Sequence, residues 1–125
     1  MKTNERRFMN LKLGDVRNSL DSLKKLLGTD LPVKVSYKLS KIVKKVNSEI
    51  KELEDKRIEL IKQYGELKDE KIEVKPENLV LFMSELQTLL DLEIDLDIQP
   101  IKLDELGDIK FSAVDLADLE KFIVE

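Results

Sequence analysis

One uninterrupted heptad pattern constrains this chain more than any other feature. Eight positions in its middle follow each other at alternating spacings of four and three residues, and all but one are apolar or aromatic. They are Leu39, Val43, Val46, Ile50, Leu53, Arg57, Leu60 and Tyr64. Because no Gly or Pro lies between Pro32 and Gly65, the pattern predicts a single helix over Val33–Tyr64 with a narrow seam for another helix. At ~1.5 Å per residue, that helix is about 48 Å long.

A shorter heptad pattern precedes this helix and predicts another over Leu13–Leu27. Its apolar positions are Leu13, Val16, Leu20, Leu23 and Leu27. Gly28 is a typical C-terminal stop, and Pro32 is well tolerated in the first turn of the next helix. A short link between two heptad helices indicates an antiparallel helical hairpin.

The hairpin is unequal, because the first helix can cover only about half of the second. The distal part of the seam therefore needs another partner, either the C-terminal part of the chain or a second copy of it. We expect a homodimer and predict a partner seam formed by Ile50, Leu53, Arg57, Leu60 and Tyr64. Arg57 favours a specific partner, because an unpaired charge at a seam position is costly.

The second half of the chain changes its period. Alternating polar and apolar residues predict strands at Lys71–Lys75 and Glu93–Ile98, with an edge strand at Ile101 and Leu103 and a last short strand at Ile109 and Phe111. Helices are predicted over Glu77–Leu90, with apolar residues from Leu79 to Leu90 on one side, and over Ala113–Ile123, where Ser112 and Asp115 resemble a capping box.

These elements predict a mainly α-helical α+β fold: a long antiparallel helical hairpin plus a small acidic lobe of short strands and two helices. A length of 125 residues fits one domain, with a flexible arm at 1–10, the hairpin at 11–65 and the acidic lobe at 66–125. Residues 1–65 carry 16 Lys and Arg against 9 Asp and Glu, whereas residues 66–125 carry 6 against 17. The two halves therefore attract each other, or partners of opposite sign.

Composition excludes several kinds of chemistry. Without His or Cys there is no usual zinc site, no Ser-His-Asp or Cys-His arrangement and no disulfide. The four glycines are scattered, so no phosphate-binding loop is present. We therefore expect neither catalysis nor a cofactor. No apolar run approaches the ~20 residues that span a bilayer, and the first ten residues lack the apolar region of a signal peptide, which favours the cytoplasm.

Four lysines on one face of the long helix form a lysine stripe: Lys34, Lys38, Lys41 and Lys45. Like charges at this spacing repel each other, so the stripe favours a surface that meets anions. One interpretation is a contact with a nucleotide, a nucleic acid or an acidic protein. The other is a helix face that pairs with the acidic lobe of the same chain. Binding of double-stranded DNA is disfavoured, because the chain is acidic overall and has no known reading motif.

The acids Glu93, Asp95 and Asp97 alternate along one face of a predicted strand. With Asp104 or Asp108 they would offer hard oxygen ligands to Mg²⁺ or Ca²⁺, and Asp97 followed by Asp108-Ile109-Lys110 is similar to a pattern of metal-dependent nucleases. In a chain with 38% charged residues such spacing arises easily by accident. We therefore interpret these acids as the solvated face of a half-buried strand and expect no metal.

Four segments together cover nearly the whole chain: LKLGDVRNSLDSLKKLL, DLPVKVSYKLSKIVKKV, RIELIKQYGELKDEKIEV and EIDLDIQPIKLDELGDIKFSAVDLADLEKFI. In this order they resemble a family of small phage and prophage proteins of Gram-positive bacteria, for which no activity is assigned. The resemblance implies a phage origin and an accessory role. It supplies no site residues.

These observations lead to an expectation about function. We expect a small, non-catalytic phage protein in the cytoplasm of the infected host that binds a host or phage protein. It would inhibit a host factor or a defence system, or assist virion assembly. The alternative is a protein that binds or sequesters an anionic nucleotide or nucleic acid on the lysine stripe.

Overall fold

The structure is a computed structural model that describes the backbone of residues 7–125 and the side chains from Met9 onward. Its four α-helices are α1 (Leu13–Leu27), α2 (Val33–Tyr64), α3 (Leu79–Leu90) and α4 (Ala113–Leu119). Its strands are β1 (Arg7–Lys12), β2 (Gly65–Lys68), β3 (Lys71–Val74), β4 (Glu93–Ile98), β5 (Ile101–Lys102) and β6 (Ile123–Val124). Short 3₁₀ turns cover Pro76–Asn78, Leu103–Leu106 and Glu120–Phe122. The mainly α-helical α+β fold predicted from the sequence is confirmed.

The helical hairpin is confirmed, and both helices have the predicted bounds. Gly28 donates its N–H to the carbonyl oxygens of Lys24 and Lys25 and so closes α1. One detail of the seam differs, because Leu26 is buried while Leu27 is exposed. The reason is that α1 packs against α4 as well as α2, which widens its buried face to include Ser19 and Ser22.

The prediction of a flexible arm at residues 1–10 is wrong for Arg7–Asn10, and the rest of that arm lies outside the described residues. Arg7–Lys12 forms β1, which pairs antiparallel with β4 in a register that places Met9 opposite Leu96 and Leu11 opposite Ile94. Leu11 is buried, and the Asn10 side-chain amide donates to Asp95 over 3.0 Å. Pairing with a strand some 85 residues away along the chain orders this segment.

The hairpin and the acidic lobe share one hydrophobic core. The first half of α2 supplies Val35, Leu39, Ile42, Val43 and Val46, and α1 supplies Val16, Leu23 and Leu26. The acidic lobe completes this core with Leu96, Ile98, Ile101, Leu106, Leu119 and Phe122. The apolar face of the first half of α2 is therefore buried between α1 and the acidic lobe, while Lys34, Tyr37 and Lys41 on its other face are exposed.

Parts of the acidic lobe differ from the sequence prediction. β2 was not predicted, although it forms a hairpin with the predicted β3 through a turn at Asp69 and Glu70, both at positive φ. The predicted strand at Ile109 and Phe111 is wrong, since these residues pack against the core without forming a strand. β5 is very short, because Leu103 begins a 3₁₀ turn, and it pairs parallel with β6.

The two C-terminal helices are also shorter or more exposed than predicted. The last helix ends at Leu119, and its N-terminus is capped as expected by the Ser112 hydroxyl, which accepts the Asp115 N–H at 3.1 Å. On α3 only Phe82 is buried, while Leu79 and Met83, expected on its buried side, are exposed.

We predict that Leu39→Ala costs about 2–5 kcal/mol of unfolding free energy, because Leu39 is fully buried and the change leaves a cavity in the shared core. Leu60→Ala is the matched control. Its side chain is only half-buried on the second half of α2, so its loss is expected to cost clearly less. Urea denaturation followed by circular dichroism compares the two. Equal losses would contradict the difference in burial between the two halves of α2.

Candidate functional site

The structure divides the four residues of the lysine stripe into two pairs. Lys38 is only 8% exposed, and its ammonium group contacts both carboxylate oxygens of Glu105 at 2.9 and 3.2 Å. Lys45 donates to the backbone carbonyl of Asp97 at the end of β4. Lys34 and Lys41 are exposed, and Lys41 lies 5.0 Å from the centre of the Tyr37 ring. Two members of the stripe therefore join α2 to the acidic lobe instead of facing solvent.

The Glu105 carboxylate is the electrostatic counterpart of Lys38. Burial alone would raise the pKa of Glu105, but the backbone N–H of Lys102, the ammonium group of Lys38 and the nearby Lys34 outweigh it and hold that pKa below its ordinary value. A second contact of this kind joins α1 to α4, where Lys25 lies 3.3 Å from Asp115 and the Ser22 hydroxyl donates to the same carboxylate. The basic hairpin is thus paired with the acidic lobe at two places.

The cleft beside the lysine stripe is small. It encloses about 150 Å³ between α2 and the end of β4, and Tyr37, Lys41 and Lys45 line it together with Asp97 and Gln99. A carboxylate in the lining opposes the binding of a phosphate, because two like charges would be brought together. Lys38 also lines the cleft, but Lys38 and Lys45 already bind Glu105 and the Asp97 carbonyl, which leaves an anion mainly Lys41.

The residues predicted to form the partner seam lie on a different surface of α2 from the lysine stripe. Leu53 is 2% exposed, while Ile50, Arg57, Leu60 and Tyr64 are half-buried. Arg57 pairs with Glu54 of its own helix at 2.9 Å, which satisfies the charge that we expected to need a specific partner. Tyr64 donates its hydroxyl to Glu85 at 3.3 Å, and burial together with this carboxylate raises the pKa of Tyr64.

α3 is anchored at both of its ends, to the start of α1 at one end and to the end of α2 at the other. At one end the Leu13 N–H donates to the Leu92 carbonyl at 2.9 Å, and Gly14 lies so close to the Leu90 backbone that an added Cβ would be 3.3 Å from its oxygen. At the other end the Asn78 side chain donates to the Tyr64 carbonyl at 3.1 Å. α1 and α2 therefore hold α3 against the helical hairpin.

An apolar groove remains open between the second half of α2 and α3. Its larger part has a volume of about 650 Å³, and an adjoining part has about 250 Å³. The apolar side chains that line it are Leu13, Leu53, Leu60, Leu89, Leu92 and Ile94. Two predicted seam residues, Leu53 and Leu60, thus meet apolar residues of α3 and of the β4 region that the sequence did not assign to a site.

Charged residues surround this groove, and most are acidic. We name the five carboxylates the acidic rim: Glu49, Glu52, Asp55, Glu59 and Glu85. Among the residues whose side chains the structure describes, Lys56 is the only basic one that lines the groove, and it pairs with Glu59 at 3.3 Å. The sequence shows that the long helix carries many acidic residues. It does not show which of them border the groove, because that depends on where α3 packs.

The acids weighed as metal ligands do not converge. Glu93 and Asp95 are exposed on β4, and Asp97 is half-buried there. Within residues 7–125 no three acidic side chains are grouped so that they would hold a metal ion. Over the same residues, no helix combines the length and the apolar character needed to cross a bilayer.

No protein-family model matches this chain, and neither a curated protein nor a solved structure matches it. Function is therefore inferred from the surfaces of the molecule. The groove with its acidic rim has a larger volume than the cleft beside the lysine stripe. Two lysines of that stripe already bind groups of the same chain.

We predict that Lys38→Met lowers the unfolding free energy by about 1–3 kcal/mol, because it leaves the Glu105 carboxylate without its buried cation. Lys41→Met is the matched control on the same helix face, and it is expected to change stability by less than about 0.5 kcal/mol. Thermal and urea unfolding of the two variants measure the difference. A loss of the same size from both would show that Lys38 has no special structural role.

The lowered pKa of Glu105 predicts how this contribution depends on pH. A carboxyl whose pKa is lower in the folded state stabilises the fold above its unfolded value of about 4.5, and this stabilisation is lost as pH falls through the folded pKa. Glu105→Gln should therefore be clearly less stable than the original chain at pH 7, and the difference should shrink near pH 3. A constant difference in unfolding free energy across this range would contradict the assignment.

Proposed function

We propose that this chain is a small phage-encoded protein that acts by binding another protein and not by catalysis. The observation that carries the proposal is the apolar groove between α2 and α3, whose floor includes buried Leu53 and whose wall includes Leu92 at 50% exposure. An apolar concavity of this size on a highly charged protein is typical of a surface that contacts another macromolecule.

The shape of the groove favours a polypeptide over a small ligand. From Glu49 to Gln63 it follows α2 for about 21 Å at ~1.5 Å per residue, which is the length of about four helical turns. It is open along its length, whereas sites for small molecules usually enclose most of their ligand. A helix laid into such a groove is a common mode of peptide recognition.

The resemblance to small phage and prophage proteins supports the biological setting of the proposal. We infer that the protein acts in the cytoplasm of an infected Gram-positive host. Its partner would be a host factor or a defence protein that it inhibits, or a virion component whose assembly it assists.

The alternative function, binding of an anionic nucleotide or nucleic acid on the lysine stripe, has less support. Lys38 is committed to Glu105 and Lys45 to the Asp97 carbonyl, so an anion would have to compete with contacts that join α2 to the acidic lobe. Lys34 and Lys41 alone provide a weak, exposed pair of cations.

A homodimer also stays a prediction. The reason for expecting it was the uncovered half of the α2 seam, and α3 now covers part of that seam. A symmetric dimer through the groove would bring two acidic rims together, which costs free energy. Light scattering at micromolar concentration should give twice 14.5 kDa if the chain dimerises through another surface, and a mass of 14.5 kDa would contradict the dimer.

Photo-crosslinking in cells tests the proposed function. A photoreactive phenylalanine derivative replaces Leu92 in the groove or Leu103 in the 3₁₀ turn, two leucines with matched exposures of 50% and 51%. After irradiation in a Gram-positive host, we expect one discrete protein adduct from the Leu92 position only. No adduct, or the same adducts from both positions, would contradict binding at the groove. Mass spectrometry of the adduct separates a foreign partner from a second copy.

A further inference from the structure

The charge around the groove restricts the chemistry of what binds there. Five carboxylates and one lysine line it, so the local field is strongly negative. Lys56 is already paired with Glu59, and Glu85 accepts the Tyr64 hydroxyl. Within the part of the chain that the structure describes, Glu52 and Asp55 form no ion pair, and both are exposed. These two carboxylates remain available to a cation from outside.

The carboxylates at the start of the groove also disfavour each other. Burial raises the pKa of Glu49, and the nearby carboxylate of Glu52 raises it further. Glu49 is half-buried beside the apolar lining, so its charge is less well solvated than that of its exposed neighbours. A positive charge placed between Glu49 and Glu52 would offset the repulsion between their carboxylates.

We propose that the groove binds a basic amphipathic helix of the partner protein, with the apolar side chains of that helix against Leu60, Leu89 and Leu92 and its Lys or Arg side chains toward the acidic rim. This inference rests on the proposed function and specifies its partner. The groove accommodates about four turns, and apolar residues at i, i+3, i+4 and i+7 give a helix one continuous apolar face over such a length.

The rim also discriminates against other occupants. An acidic helix would bring like charges together at five positions, and juxtaposition of like charges suppresses wrong partners. The lysine stripe of a second copy is a poor candidate as the occupant, because two of its four lysines, Lys38 and Lys45, are engaged within their own fold.

A set of synthetic peptides tests the proposal on the full-length protein. The basic probe is a labelled helix-forming peptide of Leu and Lys, about 14 residues long to match the groove at ~1.5 Å per residue, with its leucines on one face. A second peptide carries Glu in place of every Lys, and a third has the same composition as the first in a scrambled order without an apolar face. Fluorescence anisotropy measures binding between about 0.05 and 0.3 M salt, where screening of surface charges becomes strong.

Only the basic amphipathic peptide is expected to bind well, and its Kd should rise with salt. The double change Glu52→Lys with Asp55→Lys should weaken it about tenfold, because it replaces two attractions by two repulsions. The matched control is Glu66→Lys with Glu73→Lys, which makes the same change in net charge at two paired, exposed positions of the β2–β3 hairpin. This control should stay within about twofold of the original chain.

Leu92→Gln tests the apolar part of the contact and should also weaken the basic peptide, since Leu92 is half exposed in the groove wall. Equal weakening by the groove and control charge changes, equal binding of the Glu peptide or the scrambled peptide, or no effect of Leu92→Gln would each overturn the proposal. If one of these contrary results is found while crosslinking at Leu92 still captures a protein, the groove remains the binding site. In that case only the proposal of a basic helical partner is wrong.

Discussion

The burial of the first half of α2 is the constraint on which the rest of the structure depends. Leu39 and Val46 are fully enclosed by α1 on one side and by the strands and turns of the acidic lobe on the other. α1 is 15 residues long and α2 is 32, so α1 cannot accompany α2 to its end. Beyond Leu53 the long helix is left with α3 and the β2–β3 hairpin, and the open groove is the consequence of this mismatch in length.

Ion pairs join the basic helical hairpin to the acidic lobe. The basic hairpin and the acidic lobe attract each other, and the contacts of Lys38 with Glu105 and of Lys25 with Asp115 are where that attraction becomes specific. Contacts with the acidic lobe also engage two of the four lysines of the stripe, Lys38 and Lys45. The negative charge that stays accessible is concentrated on the acidic rim of the groove.

The parts of the fold that could be predicted are those whose signals are local. Both long helices were predicted with the correct bounds, because heptad spacing defines their faces and Gly28, Pro32 and Gly65 mark their ends. β1 was missed because Arg7–Asn10 becomes a strand only through pairing with β4. The β2–β3 hairpin was missed because Asp69 and Glu70 form its turn at positive φ without the usual Gly or Asn.

Only part of the candidate site could be predicted from the sequence, because the rest depends on contacts between distant parts of the chain. Leu53 and Leu60 belong to the heptad seam, so their role as contact residues followed from spacing. Leu89 and Leu92 come from a segment about thirty residues further along the chain, and only tertiary packing brings them beside Leu53. The sequence likewise left open whether the lysine stripe meets an external anion or the acidic lobe, because only tertiary packing brings Glu105 beside Lys38.

The central claim is that the two halves of α2 differ in how well they are covered, and cysteine labelling tests it most directly because the chain has no cysteine of its own. Val46→Cys and Leu60→Cys are compared in their reaction with a thiol reagent under native conditions. We predict that Val46→Cys is protected by about a thousandfold or more, since its exposure requires unfolding. Leu60→Cys should react within about tenfold of an unfolded control, since it lines the open groove. Equal protection of both positions at every protein concentration would contradict the account.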